Sequence, residues 1–434
     1  MTTTTATRSF ESDPNQSLAY EKLPFTGMSK TYCVDRQVAD SACTATAYLC
    51  GVKANYQTIG VNAKVFYKEC DAQVVKKNRT PSIAEWAIKA GKGAGIVTNM
   101  RVTHASPAGV YANTANRNWE NDAEVEKSGC DASLVDDIAE QLVRNAPGNA
   151  LRVIMGGGRR NFRSKNHIDE EGDEGKRNDD VDLVSEWLES KKNQGKYVWN
   201  REELLKVDTK NVSYLLGLFE SSHMFYNLEV LEEGRDEFEP TLAEMVEKAI
   251  DVLTSEPNGY FLFVEGGLID HGHHSNRAKQ SLDETREFSK AIELAMSKID
   301  LDETLVVVTS DHSHSFSYGG YPERDANILR TTGEEAEDGM ESMFLSYANG
   351  KGYKKHVKEE GGRVDPKTLK KPSDFRHPAT LPKDSETHGG DDVGVYAAGP
   401  WAHLFTGNFE EHTIPHMMAF AACIGDGIKA CDEK

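Results

Sequence analysis

Carboxylate and imidazole side chains cluster at two points in the sequence. Glu265-Gly266-Gly267 leads into Asp270-His271-Gly272-His273-His274, and Ser310-Asp311-His312-Ser313-His314 lies further along. Each group directly follows a short run rich in β-branched or aromatic residues, Tyr260 to Val264 and Leu305 to Thr309, whose length predicts a buried strand. In an open parallel sheet, the loops leaving the C-terminal strand ends converge on one crevice, where ligands bind. That geometry gathers Glu265, Asp270, His274, Asp311 and His312 with no helix needed to align them. Imidazole with carboxylate suits Zn²⁺, whereas Glu with hydroxyl and water ligands suits Mg²⁺. A lone His-x-His-His is more often a surface cluster, but two carboxylate–histidine groups on successive strand ends favour a metal centre. His388, in Glu386-Thr387-His388-Gly389-Gly390, completes a three-ligand set with Asp270 and His274 and leaves a position open for water or substrate.

A nucleophile is offered by Asp40-Ser41-Ala42-Cys43, which opens a predicted helix closing at Gly51. Taken alone, the pattern reads as plain helix capping. The same geometry points Ser41 at free N–H groups able to hold an anion, and a neighbouring Zn²⁺ would lower the hydroxyl's pKa. Cys43 is the competing nucleophile. Arg117, in Asn116-Arg117-Asn118-Trp119, is the candidate anion clamp, because a planar guanidinium matches two oxygens of a phosphate or sulfate. Ser106, in His104-Ala105-Ser106, offers a hard hydroxyl ligand for Mg²⁺, against the plainer reading of a turn residue before Pro107.

Further strand-like runs occur at Ala94 to Thr98, Leu151 to Met155 and Val393 to Ala397. Helical patterns fall between strands: Ser82 with Glu85 and Thr241 with Glu244 read as capping boxes, and a third pattern runs from Leu282 through Ile299. This alternation predicts an α/β fold with a largely parallel central sheet and helices on both faces. His167 to Asp182, dense in Asp, Glu, Gly and Asn, reads as a solvated acidic loop. Residues 321–385 break the alternation and read as an inserted subdomain.

The 434 residues allow a large core, and 70 acidic against 50 basic residues give a net charge of -20, which argues against nucleic acid as a stable partner. No stretch approaches the ~18 apolar residues of a membrane span. Neither end of this chain encodes a secretory leader or an anchor signal. Seven cysteines and sequons at Asn15, Asn78 and Asn211 lean weakly toward an oxidising compartment.

Taken together, the motifs resemble the animal-type alkaline phosphatases. The resemblance rests on DSACTATAYLCGVKAN (Asp40 to Asn55), THASPAGVYANTANRNW (Thr103 to Trp119), VEGGLIDHGHH (Val264 to His274), SDHSHSFSYGG (Ser310 to Gly320) and ETHGGDDVGVYAAGP (Glu386 to Pro400), and covers nearly the whole chain. It implies phosphate monoester hydrolysis through a phosphoserine at Ser41. Asp270, His274 and His388 would hold one zinc, and Ser41, Asp311 and His312 a second. Ser106 and Glu265 would hold magnesium, Arg117 would bind phosphate oxygens, and His104 and His271 would orient ligands around the metals. A calcium site would map to Glu203, the Phe219 backbone, Glu220 and Glu239. The implied disulfides are Cys70 with Cys130 and Cys423 with Cys431, leaving Cys33, Cys43 and Cys50 free. The resemblance divides the chain into an α/β core (1–320 and 386–434) and a crown-like insertion (321–385) at a homodimer interface, in a protein at or outside the cell surface. It also predicts that the family's first strand and its Gly-Asp-Gly bridging ligand are missing here. The alternative is therefore an inactive metal-binding or dimerising protein; sulfatase or phosphodiesterase chemistry is a third possibility.

Overall fold

Strand formation follows the β-branched and aromatic runs, and the computed structural model describes residues 1–10 and 15–432. In chain order the first strands are β1 (Phe25–Lys30), β2 (Gly93–Arg101), β3 (Val153–Gly157), β4 (Gly195–Val198), β5 (Tyr214–Leu218), β6 (Tyr260–Glu265) and β7 (Val306–Thr309). There follow β8 (Ser313–His314), β9 (Phe316–Tyr318), β10 (Thr331–Glu335), β11 (Glu341–Met343), β12 (Leu345–Gly350), β13 (Ala379–Pro382), β14 (His388–Gly389), β15 (Val393–Ala398) and β16 (Gly407–Glu410).

The expected parallel sheet is present, with five strands in the order β4-β5-β3-β2-β6. Side chains alternate across it: Ile96, Ile154 and Leu216 pack into one apolar cluster, and their neighbours Val97, Met155 and Leu215 into another on the opposite face. The helix Ala278–Lys298 and the helix Leu242–Leu253 contribute to the second face. The latter opens with a full capping box between Thr241 and Glu244, whereas Ser82 accepts the Glu85 N–H without the reciprocal bond from Glu85.

The sheet is less extensive than the sequence pattern suggests. β7 and β15 lie in a second, four-stranded sheet of order β16-β1-β15-β7, in which β15 runs antiparallel to both β1 and β7. The chain leaves β7 and returns toward β15 through the antiparallel pair β8 and β14, so it re-enters at the end it left. A parallel pairing would have required a crossover to the far end. Over residues 316–382, β12 pairs with β9 and β13 in a small sheet, and β10 pairs with β11.

The acidic segment keeps most of its residues exposed, as a solvated loop should, and is also tied down by ion pairs. Fully buried Arg159 donates to Asp169 at 2.7 Å and to Glu171; Arg163 pairs with Asp182 and Glu170; and fully buried Arg177 reaches Asp137 at 2.9 Å and Asp179 at 2.5 Å. A segment short of apolar side chains is anchored by guanidiniums whose burial demands partners. Of the sequons, Asn15 and Asn211 are exposed, but Asn78 is buried with its amide nitrogen donated to the Ala72 carbonyl at 2.8 Å. Finally, Cys70–Cys130 forms as expected, but the second disulfide is Cys33–Cys43, with Cα atoms 5.7 Å apart. Cys423 and Cys431 remain thiols, the Cys431 N–H pointing at the Cys423 sulfur, and Cys50 is a buried thiol. Cys43 therefore has no free sulfur to act as a nucleophile.

Candidate active site

The helix Ser41–Cys50 is buried along its whole length and ends at Gly51, whose φ of +74° suits a residue without Cβ. Its N-cap is Asp40, whose carboxylate accepts the Cys43 N–H, so the capping role does not consume Ser41. The Ser41 hydroxyl lies 3.0 Å from His312 Nε2. His312 Nδ1 faces the Ser313 carbonyl at 3.3 Å, while Nε2 faces the Ser41 hydroxyl. Burial holds the His312 pKa well below its ordinary value, so the ring is neutral. Asp311 Oδ2 sits 3.2 Å from the same Nε2.

The segment after β6 forms a short helix, Leu268–His274, contrary to the expectation that no helix is needed. It places Asp270 and His274 one turn apart on one face. His273 points elsewhere, its nitrogens bonded to the Thr3 and Tyr347 hydroxyls. His388 arrives from the other direction: because β15 is antiparallel to β7, a residue before β15 reaches the same end as residues after β7. His274 Nδ1 donates to the Glu386 carbonyl at 2.5 Å, and His388 Nδ1 to the Ala39 carbonyl at 2.7 Å. Their Nε2 atoms then face each other at 3.0 Å, with Asp270 Oδ1 3.4 Å from one and 3.3 Å from the other. Two imidazole lone pairs and a carboxylate aimed at one point fit a cation, and the donor types suit zinc.

Sequence reasoning passed over His314, though it belongs to the same motif two residues beyond His312. It lies between Asp270, at 2.7 Å, and Glu386, at 2.6 Å. Burial opposes its charge, but these two carboxylates outweigh that and raise its pKa to about 10. Glu386 itself is buried and also accepts the Ser315 N–H and hydroxyl, fixing the strand that carries the ligands. Thr98 was missed as well: its hydroxyl donates to Glu265 at 2.5 Å. Burial pushes the Glu265 pKa up to about 7 against the opposing effect of its hydrogen bonds with Thr98 and Ser106.

Arg117 donates through Nη1 to Asp40 at 2.9 Å, while Nη2 lies 3.2 Å from His104 Nε2. Burial works against its charge, but Asp40, backed by Asp270 and Asp311, keeps its pKa above the ordinary value. His104 and His271 stand together with His223, a third residue that drew no attention in the sequence, with ring centroids 4.4 to 5.7 Å apart. Burial keeps His104 and His271 neutral, the latter at about 4. Arg101 donates to His223 through its backbone N–H and lies 2.5 Å from the other ring nitrogen.

The candidate calcium residues do not converge in the same way. Glu220 and Glu239 are buried together, and Arg235 pairs with Glu220 at 2.6 Å; Glu203 instead accepts the Trp199 N–H. Among the described residues, the groups whose ligand atoms lie within 4.8 Å of one another include Asp270, His312, His314 and His388 but not these three carboxylates.

The alkaline phosphatase family model matches residues 1–424. The chain belongs to the alkaline phosphatase family. It is 49% identical over 423 residues to the membrane-bound alkaline phosphatase of Bombyx mori, covering 96% of this chain and 75% of that protein. It is 43% identical over 427 residues to the tissue-nonspecific isozyme of Homo sapiens, covering 95% and 78%. The alkaline phosphatase of the Antarctic bacterium TAB5 shares the fold with a TM-score of 0.65 at 22% identity, covering 98% and 95% of the two chains. That of Thermus thermophilus gives 0.66 at 22% identity, covering 96% and 87%. As a member of the alkaline phosphatase family the chain is a phosphatase acting on phosphate monoesters. No helix among the described residues is long and apolar enough to cross a membrane.

Proposed function

We propose that the chain hydrolyses small phosphate monoesters through a phosphoserine on Ser41, using two zinc ions and one magnesium. The observation that carries this reading is the convergence of the His274 and His388 lone pairs with Asp270, beside a buried serine whose hydroxyl is not spent on capping. Asp270, His274 and His388 would hold one zinc; Ser41, Asp311 and His312 the other; Ser106 and Glu265 the magnesium. Bound there, the metals would supply Lewis-acid stabilisation of the attacking and departing oxygens.

Ser41 Oγ forms a bond to phosphorus as the bond to the substrate's alcohol oxygen breaks, and the alcohol leaves with the proton the serine gives up. Water then cleaves the phosphoserine, releasing phosphate and restoring the hydroxyl. Arg117, held in place by Asp40, presents its other N–H groups to the phosphoryl oxygens. Neutral His104 and His271 would orient ligands around the metals. The two disulfides fit a protein at or outside the cell surface. Homodimerisation through 321–385 rests on the family resemblance.

With zinc and magnesium supplied, the chain should release alcohol from a phosphate monoester far faster than from a sulfate ester or a diester. Ser41→Ala should lower turnover at least ~10³-fold while the zinc held by Asp270, His274 and His388 stays bound. Full zinc occupancy without turnover in the wild type, or unchanged turnover in Ser41→Ala, would overturn the reading.

A further inference from the structure

We infer that the Cys33–Cys43 disulfide is a positioning element of the active site, clamping the short loop that presents Ser41 and seats Arg117. The inference rests on the phosphatase reading and extends it to a residue pair outside the reacting groups.

Cys43 sits in the first turn of the nucleophile's helix, two residues after Ser41, and Cys33 lies ten positions earlier. Both are 1% exposed. Between them, residues 34–38 have no regular secondary structure and are all exposed, including Val34 and Val38. They are tied to the rest of the protein by polar contacts, the Val34 N–H to the Ala54 carbonyl at 2.9 Å and the Asp35 carboxylate to the Tyr56 N–H at 2.8 Å. Burial of side chains therefore does little to hold this stretch in place.

The three residues that follow each position a different part of the site. The Ala39 carbonyl accepts His388 Nδ1–H at 2.7 Å and so sets which nitrogen of that ring faces Asp270. The Asp40 carboxylate accepts from Arg117 at 2.9 Å, from the Gln57 N–H at 3.0 Å and from the Cys43 N–H at 3.4 Å. Ser41 Oγ meets His312 at 3.0 Å. A covalent link from the far side of the exposed stretch to the helix's first turn fixes the base of this loop, where small displacements would misalign nucleophile, anion clamp and metal ligand at once.

The second disulfide provides an internal control. Cys70–Cys130 spans 60 positions and lies in a separate apolar cluster with Val61, Trp119 and Val135. Closing the longer loop restricts the unfolded chain more, so this bond should matter more for stability and less for chemistry.

The experiment compares Cys33→Ser/Cys43→Ser with Cys70→Ser/Cys130→Ser in the metal-loaded protein, measuring kcat, KM, melting temperature, zinc content and affinity for inorganic phosphate. The first pair should lose ~10-fold or more in kcat and bind phosphate several-fold more weakly, at full zinc content and well below the melting temperature. The second should melt lower yet keep kcat and phosphate affinity within about twofold. Equal effects of the two pairs on kcat and phosphate affinity, or none from the first, would overturn the inference. If the first pair does not fold, phosphine reduction of the folded Cys70→Ser/Cys130→Ser variant, in which Cys33–Cys43 is the remaining disulfide among the described residues, gives the same readouts once its thiols are counted. A wild type without turnover would count against the phosphatase reading, while its phosphate affinity with and without the bond would still decide the role of the disulfide.

Discussion

Two regions of this molecule concentrate carboxylates, and they neutralise them differently. In the loop from His167 to Asp182, the acids meet guanidiniums from Arg159, Arg163 and Arg177 that are always charged and already in place. At the crevice, Asp270 and Asp311 meet imidazoles: His314 brings a proton to Asp270, while His274 and His388 turn their lone pairs toward it. The first arrangement is electrostatically closed and serves stability. The second keeps an unfilled demand for positive charge, and that demand is what a catalytic metal centre needs. Acidic density alone does not distinguish the two; the identity and protonation of the partner does.

If this contrast holds, variants in the two regions should have opposite signatures. Ser41→Ala should abolish turnover while leaving the melting temperature nearly unchanged, because no buried group loses its neutralising partner. Arg177→Met should do the reverse. It strands Asp137 and Asp179 beside an apolar side chain, a change worth ~3–5 kcal/mol of stability in denaturant unfolding, with kcat unaffected at temperatures where the protein is folded. A large loss of kcat in the folded variant would break the comparison.

Chelation provides a reversible test of the same idea. Removing tightly bound zinc, present at ~1,000 times its Kd, should cost ~4 kcal/mol and lower the melting temperature, with recovery on adding zinc back. A chelator without effect on melting would mean that the crevice is as self-neutralised as the loop.

The smallest effect concerns a carboxyl in neither region. Glu284 is buried where Asn99 and the Asn227 N–H meet it, and burial raises its pKa to about 8. Folded protein then holds a proton that the unfolded chain releases near pH 4.5. The associated stability is complete below that value and is lost as pH rises to 8, so the melting temperature should fall between about pH 5 and 8 and level off above. Glu284→Gln should flatten that fall, and an unchanged slope would exclude this group as its source.

Local patterns made much of this legible. Runs such as Tyr260 to Val264 and Leu305 to Thr309 form strands, Thr241 with Glu244 caps its helix, and the polar motifs fall at strand ends. What local pattern missed has a common cause. His314 and Glu386 act through each other across 72 residues, Cys33 finds Cys43 instead of remaining free, and Arg177 is buried by contacts with Asp137 that no neighbouring residue announces. The antiparallel turn of β15 likewise depends on which end of β7 the intervening chain leaves and re-enters.

By itself, then, the sequence narrowed the candidate donors and the candidate nucleophile, because residue type limits which groups can ligate, attack or clamp. Only the tertiary structure decided how those groups are protonated and where they point. Tautomers are set by carbonyls such as Ala39 and Glu386, and the serine is free because Asp40 takes the cap. Both depend on atoms brought together from distant parts of the chain, and their direction is a property of the fold.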